Sequence, residues 1–176
     1  DYSDKHFPKS NEQVPKHESG LLGGAFLGWA DPSHKPQTKD PCVLNVAEHE
    51  SEVTGVVFSS PDGKWLASSS DDKTVKICSA STGEVSCTIQ HDSEVKSVAW
   101  SSRDGGCLAS GCGDGTVWLW SPSGEPKGTL KGHDGTVWSV AFSPDNKTLA
   151  SASQDMTVKL WDLSGETPIE KGSLKG

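Results

Sequence analysis

Three histidines, His49, His91 and His133, stand at a constant spacing of 42 residues, and each opens a copy of the same pattern. The copies read SEVTGVVFSSPDGKWLASSSDDKTVKIC, SEVKSVAWSSRDGGCLASGCGDGTVWLW and GTVWSVAFSPDNKTLASASQDMTVKLW. A period of this size means one small unit used repeatedly, because such a unit cannot bury its own apolar face and must stack on a neighbour. From histidine to the end of each unit the count is 29, 29 and 28. The third copy is shorter in its first turn, SPDNK against SSPDGK and SSRDGG, where a deletion costs least.

Each copy reads as short antiparallel strands. VTGVVFS, VKSVAWS and VWSVAFS alternate apolar with small or polar residues at period two, so each presents one face to a core. Pro61-Asp62-Gly63 and Pro144-Asp145-Asn146 supply the fixed φ and the tolerance of positive φ that a tight reversal needs. The second strands, WLASSS, CLASGC and TLASAS, carry small residues that let backbones approach closely. A turn at Asp-Lys, Asp-Gly or Asp-Met leads into TVKIC, TVWLW or TVKLW, and a weaker fourth strand (VSCTIQ, PKGTLKG) leads to the next histidine. Four strands per period with no helical pattern predict an all-β chain of three β-propeller blades, about 49–90, 91–132 and 133–176.

These residues carry a resemblance. Gly132-His133 at the start and Trp161-Asp162 at the end of the third unit resemble the WD-repeat family. The second unit has Gln90-His91 and Trp120-Ser121, and the first, the most degenerate, has Glu48-His49 and Cys78-Ser79. The resemblance covers about residues 42–176, and residues 1–41 form a non-repeating N-terminal extension. It implies a hydrogen-bonded set in each blade, formed here by His49, Ser68 and Asp72; by His91, Ser110, Asp114 and Trp120; and by His133, Ser151, Asp155 and Trp161. The aspartate follows its serine by four residues and precedes the terminal residue by six in all three units.

Histidine, serine and aspartate in one short stretch are also the raw material of a catalytic triad. A triad is needed once per active site, whereas this set occurs three times in phase, which points to architecture. The aspartate is expected to accept from the histidine and from backbone N–H groups, the imidazole to pass a hydrogen bond to the serine, and the indole to find an acceptor nearby. Cys78 removes an indole and its donor, so the first blade is expected to be the least stable. No phosphate-binding glycine loop, unexplained acid pair or unrepeated nucleophile stands out, and GCGDG at 111–115 falls at a strand-turn-strand junction with no helix to receive a phosphate. The expectation is a non-enzyme without cofactor or metal.

Three blades make an arc, and propellers close with about four to eight. Both ends of the repeat region look cut at unit boundaries, so the expectation is a part of a longer propeller. Self-assembly of several chains is the alternative, and a free-standing three-blade monomer would expose apolar edges. Residues 1–20 are polar and proline-containing and read as an irregular arm. GLLGGAFLGWA at 20–30 is too short and glycine-rich to span a bilayer and reads as a segment covering the first blade's edge or as an anchor for a partner.

The net charge of −8 repels phosphate backbones, which speaks against nucleic acid as a partner. Five cysteines without paired metal-ligand spacing read as free thiols, which favours the cytoplasm or nucleus; a mature organellar protein stripped of its transit peptide would read the same. The resemblance implies a protein-interaction scaffold, a subunit of a larger complex, with a contact rim on the narrow face. Residue by residue the rim is Glu52, Thr54 and Asp71; Glu94, Lys96 and Gly113; Thr136, Trp138 and Gln154. Val53, Val95 and Val137 are expected to point into the core and their neighbours away from it. Trp138 is the strongest single anchor, and the acids Glu52, Asp71 and Glu94 suit other proteins or peptides with basic surfaces. A sensor or regulatory module attached to an enzyme or ATPase is the alternative reading.

Overall fold

A computed structural model of the chain describes residues 48–102 and 106–175. The chain divides into two units, Asp1–Asp40 and Pro41–Gly176. The expectations for residues 1–41, including the apolar stretch at 20–30, lie outside the described residues.

Among the described residues, twelve strands form three separate four-stranded antiparallel sheets, each in sequential order. The first blade holds β1 (Val53–Phe58), β2 (Trp65–Ser70), β3 (Thr74–Ser79) and β4 (Val85–Gln90). The second holds β5 (Val95–Trp100), β6 (Leu108–Cys112), β7 (Val117–Trp120) and β8 (Pro126–Leu130). The third holds β9 (Val137–Phe142), β10 (Thr148–Ser153), β11 (Thr157–Asp162) and β12 (Ile169–Lys175). The described residues contain no helix, so none is long and apolar enough to cross a membrane.

The blades stack through two apolar clusters, one per junction. Across the first junction, Ala67, Val75, Ile77 and Ile89 of the first blade meet Val95 and Trp100 of the second. Across the second, Ala109, Val117, Leu119 and Leu130 meet Val137 and Val140 of the third. Each blade thus has a forward face, built on strands two to four, and a backward face, built mainly on its first strand. The small second-strand residues matter here: a Cβ on Gly111 would lie 2.8 Å from Val137 Cγ1, so a larger residue would force the blades apart.

Two residues on the backward face are three positions apart, such as Val95 and Val98, although simple alternation would send them to opposite sides. A β-bulge explains this. In each first strand the register slips by one residue, between Val53 and Gly55, Val95 and Ser97, and Ser153 opposite Val137 and Ala152 opposite Ser139. Thr54, Lys96 and Trp138 are the extra residues, and a bulge re-aims the side chain it carries.

One expectation fails. Val95 and Val137 are fully buried, but Val53 is 59% exposed. Alternation sets which face a side chain is on, but the neighbouring blade decides whether that face is covered. No sheet among the described residues packs on the backward face of the first blade.

Candidate functional site: the struts and the rim

The repeated polar sets lie inside the blades. In the third blade His133 Nδ1 is 2.7 Å from Asp155 Oδ2, His133 Nε2 is 2.7 Å from Ser151 Oγ, and Trp161 Nε1 donates to Ser151 Oγ at 2.9 Å. An ionised carboxylate only accepts, so Nδ1 carries the proton of the neutral ring and Nε2 accepts from the serine. The serine therefore donates to the imidazole, the reverse of the direction expected from sequence. Its oxygen is left to receive the indole N–H.

The first blade repeats this arrangement without its last step. His49 Nδ1 lies 2.8 Å from Asp72 Oδ2 and Nε2 lies 2.7 Å from Ser68 Oγ, but Cys78 stands where the indole would be and gives its thiol to the Leu66 carbonyl. Each of these aspartates is further held by a threonine two residues on, Thr74 Oγ1 at 2.6 Å and Thr157 Oγ1 at 2.7 Å. Burial raises the pKa of Asp72 and of Asp155, but hydrogen bonds from these threonines, from His49 and His133 and from the backbone N–H groups of Glu50 and Asp134 outweigh it. Both carboxyls are held well below the usual carboxylate range.

The second blade departs from the pattern. His91 Nε2 is 2.9 Å from Ser110 Oγ, and Trp120 Nε1 donates to the same oxygen, but Asp114 does not reach the ring. Asp114 is exposed and accepts only from Thr116, while His91 Nδ1 is buried with no hydrogen-bond partner among the described residues. Burial pushes the His91 imidazole below its ordinary value. The threonine partners were missed from sequence, although Asp-x-Thr recurs in all three units and was the available signal.

These distances are those of a serine-histidine-aspartate triad, but Ser68, Ser110 and Ser151 are only 6%, 0% and 1% exposed. In two of the three the hydroxyl oxygen already receives an indole N–H. A substrate cannot reach these hydroxyls, so they act as struts between strands. Among the described residues, no three His, Cys, Asp or Glu side chains are placed to hold a metal ion. Cys78, Cys87, Cys107 and Cys112 are free thiols, and burial pushes Cys112 up to about 12.

The rim positions converge at one end of the strands. Asp71 N–H donates to Glu52 O at 3.0 Å, Gly113 N–H to Glu94 O at 2.8 Å, and Gln154 N–H to Thr136 O at 2.8 Å. The same bond in each blade brings together the third residue after the histidine and the residue before the turn aspartate. Neighbouring blades are then tied to one another. Thr54 Oγ1 donates to Val95 O at 2.5 Å and Thr136 Oγ1 to Gly113 O at 3.1 Å. Lys96 Nζ is 2.7 Å from Asp71 Oδ1 and lies 5.9 Å from the centroid of the Trp138 ring, so an acid, a cation and an indole from three successive blades form one chain. Trp138 is 54% exposed. With Asp71 engaged by Lys96, Glu52 is the exposed acid of the three; the Glu94 carboxylate accepts from Ser93 at 3.1 Å and sits where a Cβ on Gly113 would clash at 2.7 Å.

Three stacked four-stranded sheets with these struts define a propeller-type repeat protein. The family described as "WD domain, G-beta repeat" matches residues 40–79, 83–121 and 124–162, and the chain belongs to it. Each matched segment closes with the third strand of a blade, so the sequence repeat is offset from the structural blade by one strand. The Notchless protein homolog of Arabidopsis thaliana is 66% identical over 29 residues, a match covering 16% of this chain and 6% of that relative. Repeats of this family indicate a protein-interaction scaffold.

Proposed function

We propose that the chain is a non-catalytic scaffold subunit of a larger protein complex and that it binds partners through the rim of Glu52, Thr54, Asp71, Glu94, Lys96, Gly113, Thr136, Trp138 and Gln154. The observation that carries this reading is the set of bulges. In every blade the ladder ejects one side chain at the same end, and in the third blade that side chain is a half-exposed indole beside polar neighbours, the composition of a binding hot spot. The matching partner is a protein or peptide that sets an apolar group against Trp138 and basic groups against Glu52 and Glu94. Among the described residues Cys78, Cys87, Cys107 and Cys112 form no disulfide, which supports a cytoplasmic or nuclear setting.

The test is affinity capture with the wild type, a Trp138→Ala, Glu94→Lys variant and a Lys147→Ala control in the β9–β10 turn at the opposite end of the strands. Partners are expected to be lost with the double variant and kept with the control, with circular dichroism unchanged. Retention of every partner by the double variant overturns the rim.

A further inference from the structure

The first and third blades close their struts and the blade between them does not. In the closed blades one carboxylate oxygen of the turn aspartate holds the threonine two residues on. The other holds the histidine together with the N–H of the residue after it, Glu50 or Asp134. Asp114 uses one oxygen in the same way, on the N–H and hydroxyl of Thr116. Its second oxygen meets neither His91 nor the Asp92 N–H, and His91 Nδ1 is left buried and unpaired among the described residues.

The residues of this turn differ from those of the other two in ways that bear on the gap. Asp72 N–H donates to Ser70 Oγ at 3.1 Å and Asp155 N–H to Ser153 Oγ at 3.2 Å, which ties the head of each turn to the strand before it. Cys112 stands at the equivalent position in β6, and its thiol, a poor acceptor, does not hold the Asp114 N–H. Gly113 and Gly115 flank Asp114, where Asp71 and Lys73, or Gln154 and Met156, flank the other aspartates, so this turn has the freest backbone. The imidazole is drawn inward as well: the His91 and Trp120 ring centroids are 5.1 Å apart, against 6.5 Å for His133 and Trp161.

We propose that the β6–β7 turn is a two-position latch. Asp114 points outward in the structure and turns inward when its free oxygen accepts from His91 Nδ1–H, and the thiol of Cys112 in place of a hydroxyl is what biases it outward. The inward position relieves a standing penalty, since a buried ring nitrogen without a partner opposes folding. Ser110 Oγ receives the Trp120 indole N–H, so its own proton is free to go to His91 Nε2, which puts the ring proton on Nδ1, where a carboxylate accepts it. Gly113 is among the rim positions proposed above and its carbonyl receives the Thr136 hydroxyl, so the latch decides whether the middle blade offers the rim a carboxylate. The latch does not depend on that reading of the rim, and its readout needs no partner.

Proton NMR of the full chain with histidine assignments, together with amide hydrogen exchange, tests this. An imidazole N–H held by a carboxylate exchanges slowly with water and resonates far downfield. The wild type is expected to show such protons from His49 and His133 and none from His91, and its Asp92 N–H is expected to exchange at least about ten-fold faster than the Asp134 N–H. Cys112→Ser is expected to add the His91 proton and to slow the Asp92 N–H to the level of Asp134. Cys112→Ala removes the thiol without supplying a hydroxyl and is expected to change neither. The His49 and His133 protons report in the same spectrum that each variant is folded. A protected His91 Nδ1–H in the wild type, or its absence from folded Cys112→Ser, overturns the proposal. Equal protection of the Asp92 and Asp134 N–H groups in the wild type, a comparison that needs no variant, does the same.

Discussion

Ser151→Ala probes the struts directly, because the hub it removes has two clients. The hydroxyl donates to His133 Nε2 and accepts from Trp161 Nε1, and both groups are buried. Alanine nearly preserves the shape and strands an acceptor and a donor, each at about 1–3 kcal/mol, so the expected loss is about 2–6 kcal/mol. Ser68→Ala in the first blade strands only His49 Nε2, because Cys78 supplies no indole, and the expected loss is about half as large, about 1–3 kcal/mol. Equilibrium urea unfolding measures both. Making Ser151→Ala in a Trp161→Phe background removes the stranded indole N–H, and the cost of the serine change is then expected to fall to that of Ser68→Ala. Equal losses at Ser68 and Ser151, or a Ser151→Ala cost unchanged by Trp161→Phe, would refute the account of the serine as a two-sided relay.

Three further outcomes follow from the geometry. Burial lowers the His91 pKa, so the unfolded chain takes up a proton first and stability falls as pH drops below about 6.5; unfolding midpoints at pH 7 and pH 5 should converge in His91→Phe. Asp72 and Asp155, held low by their donors, contribute stability above about pH 4 that is lost as pH falls through their depressed values, and Asp155→Asn should flatten the acid limb of a pH titration of stability. Gly115 has φ +85° and a Cβ there would lie 2.7 Å from the His133 carbonyl, so Gly115→Ala should cost at least about 2 kcal/mol in urea unfolding, whereas Met156→Gly, at φ 66° and an exposed position, should cost nothing or stabilise slightly.

Much of this fold is legible in the chain because the repeat converts three weak strand patterns into one strong one. The histidine spacing, the alternation in VKSVAWS and the small residues of CLASGC state the sheet, its order and its stacking. The bulges are not legible, since register belongs to a pair of strands and the alternation within one strand carries no record of its partner. The resemblance places Lys96 and Trp138 on the rim and alternation turns them from the core, whereas the strand pairing makes each the extra residue opposite β6 or β10. Val53 fails for a related reason: burial depends on a neighbouring blade, which no local pattern encodes. In the second blade Asp114 has the same spacing as Asp72 and Asp155 yet leaves His91 unpaired, because spacing fixes the turn but not which of its partners the carboxylate faces.

The bulge separates two jobs that a strand ordinarily combines. At the ejected position the side chain takes no part in pairing, and the three blades already hold a small hydroxyl, a long cation and a large aromatic there. On the proposed reading of the rim, a single substitution at the half-exposed Trp138 changes the surface offered to a partner without altering the strand pairing behind it.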